Sequence, residues 1–158
     1  MYDNLILYEF LGKKIENLPF NCTLKSKLEY SYIYELNLKG AFLSVPFNKI
    51  RVVSNRRNII TEVSFCFLKV IDNSIFELYN NKFGYPDNIL KPDKIVYNEE
   101  WENEEFKSTK VVSKLKETSF ENNPILIKWN KKDYQVRIFL KHELNISEVI
   151  FSLFPDKI

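Results

Sequence analysis

Glycine is scarce: Gly12, Gly40 and Gly84 are the only three in 158 residues, and each stands alone. Phosphate-cradling loops need closely spaced glycines, so neither a GxGxxG turn nor a P-loop can be written. Histidine occurs once, as His142 between Lys141 and Glu143. A nucleophilic triad usually takes its base from histidine. A lone histidine near a strand end reads as a solvated side chain at a turn, with a spatial pairing to Cys22 or Cys66 as the catalytic alternative. The two cysteines form no CxxC and sit among apolar residues. They read as buried free thiols, or as one disulfide if the chain is exported. Structural zinc asks for four ligands at paired spacings, and calcium loops for alternating acids around a glycine. Neither pattern is present, so no metal and no cofactor is expected.

Charge of one sign is also lacking. Lys and Arg number 23 against 21 Asp and Glu, for a net charge of +2. Duplex binders concentrate a basic face, because affinity comes largely from phosphate neutralisation. Nucleic acid is therefore not the expected partner. No apolar run is long enough to cross a bilayer, and the start Met1-Tyr2-Asp3-Asn4 has no cationic leader. No membrane association and a cytoplasmic location are the expectations.

What the chain does have is apolar and aromatic mass. Hydrophobic residues make up 45%, with 13 Phe and 9 Tyr, enough to build one core. A single globular domain over residues 1–158 follows. Residues 3–20 suit either period and read as an irregular element closed by Gly12 and Pro19. Leu28, Tyr30, Tyr32, Tyr34, Leu36 and Leu38 then fall on alternate positions, the signature of a strand with one buried face. The tyrosines could instead stack single-stranded bases. The leucines on the same face favour burial under a helix. Lys39-Gly40 reads as a turn. A short broken strand follows over 41–53, with Pro46 arguing for an edge or bulge.

After the polar turn at 54–58, Ile59, Thr61, Val63, Phe65 and Phe67 alternate with Ile60, Glu62, Ser64, Cys66 and Leu68. The inner half of this strand is apolar on both sides, as in a central strand. A helix opens at 72–74, capped by Asp72 or by a Ser74/Glu77 capping box. Ile75, Leu78, Tyr79 and Phe83 supply its stripe, and Gly84 and Pro86 end it. Residues 87–98 read as a loop. Residues 98–115 predict a second helix, acid first and base last, with a strand over 110–115 as the alternative. Ile125, Ile127 and Trp129, then Tyr134, Val136, Ile138 and Leu140, form a hairpin across a turn at 130–133. Residues 146–154 suit a third strand or a helix. The fold class is α+β, mainly antiparallel sheet in meanders and hairpins, covered by one or two helices.

One segment stands out for binding. Glu99, Glu100, Glu102, Glu104 and Glu105 surround Trp101. The bland reading is a solvated face. The functional one is a recognition surface: a large rigid anchor ringed by carboxylates that steer a basic protein. The 21 carboxylates leave room for a motif-less hydrolase, but most fall on outward faces or in this run.

The layout resembles small bacterial toxin-immunity proteins in three features. These are Lys39-Gly40 before a sheet, the strand 59–68, and the helix ending Lys82-Phe83-Gly84-Tyr85-Pro86. The resemblance implies a non-enzymatic inhibitor of one toxin with a cationic cleft, and carries no residue roles. The expected function is thus a non-catalytic protein-binding module. The alternative is a small-ligand-binding or structural domain, with aromatics lining a pocket between sheet and helix.

Overall fold

The computed structural model describes residues 6–47, 49–102 and 107–158. Among them, nine strands form one antiparallel sheet and two form a small separate hairpin, with a single α-helix against the large sheet. The class is α+β, dominated by antiparallel sheet.

The chain starts with two 3-10 turns, Leu7–Phe10 and Ile15–Asn17, the irregular element expected there. Strands β1 (Thr23–Lys27) and β2 (Ser31–Leu36) follow as a hairpin. The tyrosine ladder is corrected here. Leu28 and Tyr30 lie in the turn rather than in a strand, and Tyr30 is 72% exposed. Only the far end of the ladder reaches the core: Tyr34 packs against it, and Leu36 and Leu38 are buried.

Strands β3 (Gly40–Phe42) and β4 (Val45–Phe47) pair only with each other. Gly40 sits inside β3 and not in a turn. The reversal comes at Leu43 and Ser44, both at positive φ (48° and 66°), as a two-residue primed turn requires. Strands β5 (Ile50–Asn55) and β6 (Ile60–Phe67) are joined by a turn in which Asn55 Oδ1 accepts from the Arg57 and Ile59 amides. The pairing slips between Val53 and Ser54, and this bulge carries Ile60 to the core side with Val63, Phe65 and Phe67.

Helix α1 (Asn73–Phe83) is capped by Asp72, whose Oδ1 accepts from the Ile75 amide at 3.0 Å. The Ser74/Glu77 alternative is not the cap formed. The buried stripe is Ile75, Phe76, Tyr79 and Phe83; Phe76 takes the place expected for Leu78, which is exposed. Gly84, at φ 87°, ends the helix. Its last carbonyls are met by the sheet: Trp129 Nε1 donates to Gly84 O at 2.8 Å, and Lys131 Nζ to Phe83 O at 2.9 Å. The loop entering the helix is pinned as well. Ser147, fully buried, donates to Lys69 O and accepts from the Ile71 amide.

The second predicted helix does not exist. Strands β7 (Asn88–Glu102) and β8 (Lys107–Glu117) pair antiparallel, so the expected loop at 87–98 is strand as well. Strands β9 (Leu126–Asn130), β10 (Tyr134–Lys141) and β11 (Ile146–Leu153) complete the sheet, the last resolving the strand-or-helix choice at 146–154. The order is β1-β2-β5-β6-β11-β10-β9-β7-β8, so β6 and β11 are central.

The core lies between the middle of the sheet and α1. Phe42, Phe65, Tyr79, Phe83, Trp129 and Phe151 form a continuous aromatic cluster with ring centroids 5.4–6.5 Å from their neighbours. Such pairs contribute about 0.5–1.5 kcal/mol each beyond area burial. Tyr79 is fully buried, and its hydroxyl has no hydrogen-bond partner among the described residues. Desolvation pushes that phenol well above its ordinary range, so it stays neutral. Tyr79→Phe should therefore leave the chemical-denaturation midpoint unchanged or raise stability by about 1 kcal/mol, whereas Tyr79→Ala should cost about 3–5 kcal/mol. A clear loss in the Phe variant would mean that the hydroxyl is satisfied.

Candidate functional site

Strand β7 joins the sheet only through Asn88, Ile89 and Leu90, which lie opposite Lys128, Ile127 and Leu126 of β9. Pro92 follows, and its missing N–H ends any ladder on that side. From there to Glu102, β7 pairs with β8 alone, making a two-stranded arm beyond the sheet. Register shifts at 92–95 and 95–97 add twist. The base of the arm is fastened. Glu117 accepts from Asn88 Nδ2 at 2.6 Å and from the Ile89 amide at 3.3 Å, and Lys116 pairs with Asp93 at 3.5 Å.

The candidate binding residues fall on this arm. Glu99, Glu100, Trp101 and Glu102 are the far end of β7, opposite Lys110, Thr109, Ser108 and Lys107. Two of the carboxylate positions, Glu99 and Glu102, stand opposite lysine positions in the register. Glu104 and Glu105 lie outside the described residues.

A second feature went unread in the sequence. A groove of about 790 Å3 opens where β5 ends beside β6. It lies between the β3–β4 hairpin and the tail of β6, not between sheet and helix. Val45, Pro46 and Phe47 form one side and residues 64–69 the other, with Arg51 and Glu148 at the polar rim. Leu68 in its wall is 81% exposed. Its one sequence signal was Leu68 itself, an apolar residue at the end of a strand.

The rim belongs to the uncovered face of the sheet. There Glu148 lies opposite Cys66, and Lys141 Nζ donates to Glu148 at 2.9 Å. That hydrogen bond raises the Lys141 ammonium. Cys66 is exposed and Cys22 half-buried, both free, which corrects the expectation of two buried thiols. Cys66 alternates with the core residues Phe65 and Phe67 and so points away from them. Burial, then Glu148, raises its thiol pKa, and burial raises that of Cys22; both favour the protonated form, a poor nucleophile. His142 Nε2 lies 2.7 Å from Pro124 O, so that nitrogen serves a backbone carbonyl in a turn. Among the described residues no three His, Cys, Asp or Glu converge as a metal-ligand set, and no helix is long and apolar enough to cross a membrane.

Two outcomes follow. A two-stranded ribbon is marginal in water without a third strand. Amides at 91–102 and 107–116 should therefore exchange with solvent well before those of β6, β10 and β11 in the free protein, as hydrogen-exchange mass spectrometry would read. On the open face, burial raises the Glu62 carboxyl pKa, partly offset by Arg137 and Arg51. The folded state then holds that proton more tightly, and stability falls as pH rises through and above the ordinary carboxylate range. Glu62→Gln should be stabilising relative to the parent at pH 7, with the advantage shrinking towards pH 3. An advantage that instead grew on acidification would reverse the sign assigned to Glu62.

Comparison of the chain with protein-family models, with curated proteins and with solved structures finds no match in any of the three.

Proposed function

We propose that this chain is a non-catalytic protein-binding module whose docking element is the β7–β8 arm, with an immunity-type inhibitor of a bacterial toxin as the specific form. One observation carries the reading: beyond Leu90 no third strand among the described residues pairs with the arm, yet it holds a tryptophan among glutamates at its far end. A ribbon exposing both edges invites partner contacts, and its marginal stability is recovered when a partner surface packs on it. Trp101 is the anchor, and Glu99, Glu100 and Glu102 guide a basic surface to it. Glu104 and Glu105 extend the same acidic run in sequence. The partner is a protein with a cationic cleft, met in the cytoplasm. The scarcity of glycine and histidine and the protonated thiols support a role without catalysis.

A second reading is favoured by the groove, whose size of about 790 Å3 suits a small ligand. The arm ranks first because its geometry is hard to account for without a partner.

The test is capture from a lysate of the native host on immobilised protein, followed by mass spectrometry and titration of the recovered partner. A stoichiometric partner with a basic surface should be retained. Trp101→Ala should weaken it by about 2 kcal/mol or more, at least tenfold, with the thermal midpoint of the free protein as a folding control. Glu99→Lys with Glu102→Lys should slow association and flatten its salt dependence. A partner that binds both variants as tightly as the parent would remove the arm from the interface.

A further inference from the structure

Six consecutive residues, 64–69, line one side of the groove at the end of β5. A wall made by the face of a strand shows every second residue, because side chains alternate. A consecutive run means that this strand meets the groove edge-on, with its backbone. The register explains why. Pairing between β5 and β6 stops at Ile50 opposite Phe65, while on its other side β6 continues against β11 through Cys66 and Phe67. Past Phe65, no described strand pairs with the β5 side of β6, which leaves that stretch beside the groove.

The opposite side is unsuited to strand pairing. It consists of Val45, Pro46 and Phe47, and Pro46 has no N–H to offer. It supplies apolar surface instead, shared with Leu68. The ionic rim is mostly self-neutralised. Glu148 is taken by Lys141 at 2.9 Å, Glu35 by Lys49 and Lys25 at 3.5 and 3.8 Å, and Lys69 by Asp72 at 3.8 Å. Arg51 is the rim charge that forms no ion pair among the described residues.

We propose that this groove is a docking site for a short extended peptide segment, which adds to the free edge of β6 at residues 66–68, seats an aliphatic side chain between Leu68 and β4, and delivers a carboxylate to Arg51. Backbone pairing supplies the affinity and alternate side chains the selectivity. The paired stretch of three residues is about 10 Å long, so the segment is a tail or loop rather than a full strand. The site is independent of the β7–β8 arm.

The probe is the acetylated, amidated tetrapeptide Val-Ile-Val-Glu, titrated into the full chain and followed by backbone amide NMR. Saturable shifts should be confined to Ile50, residues 66–69 and the β4 segment. The analogue N-methylated at alternate residues keeps the side chains but loses the pairing groups, and should bind at least tenfold more weakly. Arg51 is exposed, so Arg51→Gln should fold normally and weaken the parent peptide at least fivefold. Any of three results would overturn the proposal: shifts centred on the free edge of β8 instead, equal binding of the N-methylated analogue, or an unchanged affinity in Arg51→Gln. The absence of any saturable shift at millimolar peptide would overturn it as well.

Discussion

One helix of eleven residues is what this sequence provides to cover a nine-stranded sheet. At 1.5 Å per residue it is about 16 Å long and about 10 Å wide. Nine strands at 4.8 Å spacing span about 38 Å. The helix can therefore shield only the centre, and the chain places its largest apolar side chains there. Trp129, Tyr79, Phe67 and Phe151 are all sealed from solvent. The rest of the covered face is closed by minor pieces. Tyr8 stacks on Tyr134 and touches Phe83 and Phe151, Phe120 stacks on Phe76, and β3–β4 brings Phe42 and Phe47 onto Phe65. Because cover is scarce, the opposite face, the end of β5 and the β7–β8 arm are left without any.

The parts under the helix were the legible ones. In β9 and β10 the demand for one buried face imposes strict alternation, and α1 has its cap, stripe and glycine stop in order. Errors cluster where that demand lapses. In the tyrosine ladder, alternation continued through a turn, because tyrosine tolerates water and need not mark the core. The arm was misread for a related reason. A two-stranded ribbon beyond the sheet imposes no apolar period, and its acid-then-base charge order imitates a helix obeying its dipole. The β-branched and aromatic runs Ile95-Val96-Tyr97 and Thr109-Lys110-Val111-Val112 carried the contrary propensity, and they were the better guide.

Site legibility divides in the same way. The acidic run with Trp101 was conspicuous because it is a matter of composition. Its placement on a strand with lysine positions opposite was not, since that depends on register. The groove left almost no trace in composition. It exists because β5 begins at Ile50 while β6 runs on to Phe67, and the chain before β5 is spent on the β3–β4 hairpin. A site made by the unequal lengths of two neighbours is invisible until both ends are placed.

The arm also poses a question of self-association, since an uncovered edge is a template for a second copy. Strand β8 is the last in the sheet, and among the described residues no strand pairs with its outer edge. Two copies meeting edge to edge would pair antiparallel about a two-fold axis. Centred between residues 111 and 112, that pairing sets Lys107 opposite Lys116; centred on residue 112, it sets Lys110 opposite Lys114. Either register opposes like charges, which is destabilising at directly facing positions. In these two registers the lysine positions thus oppose an identical partner at the outer edge.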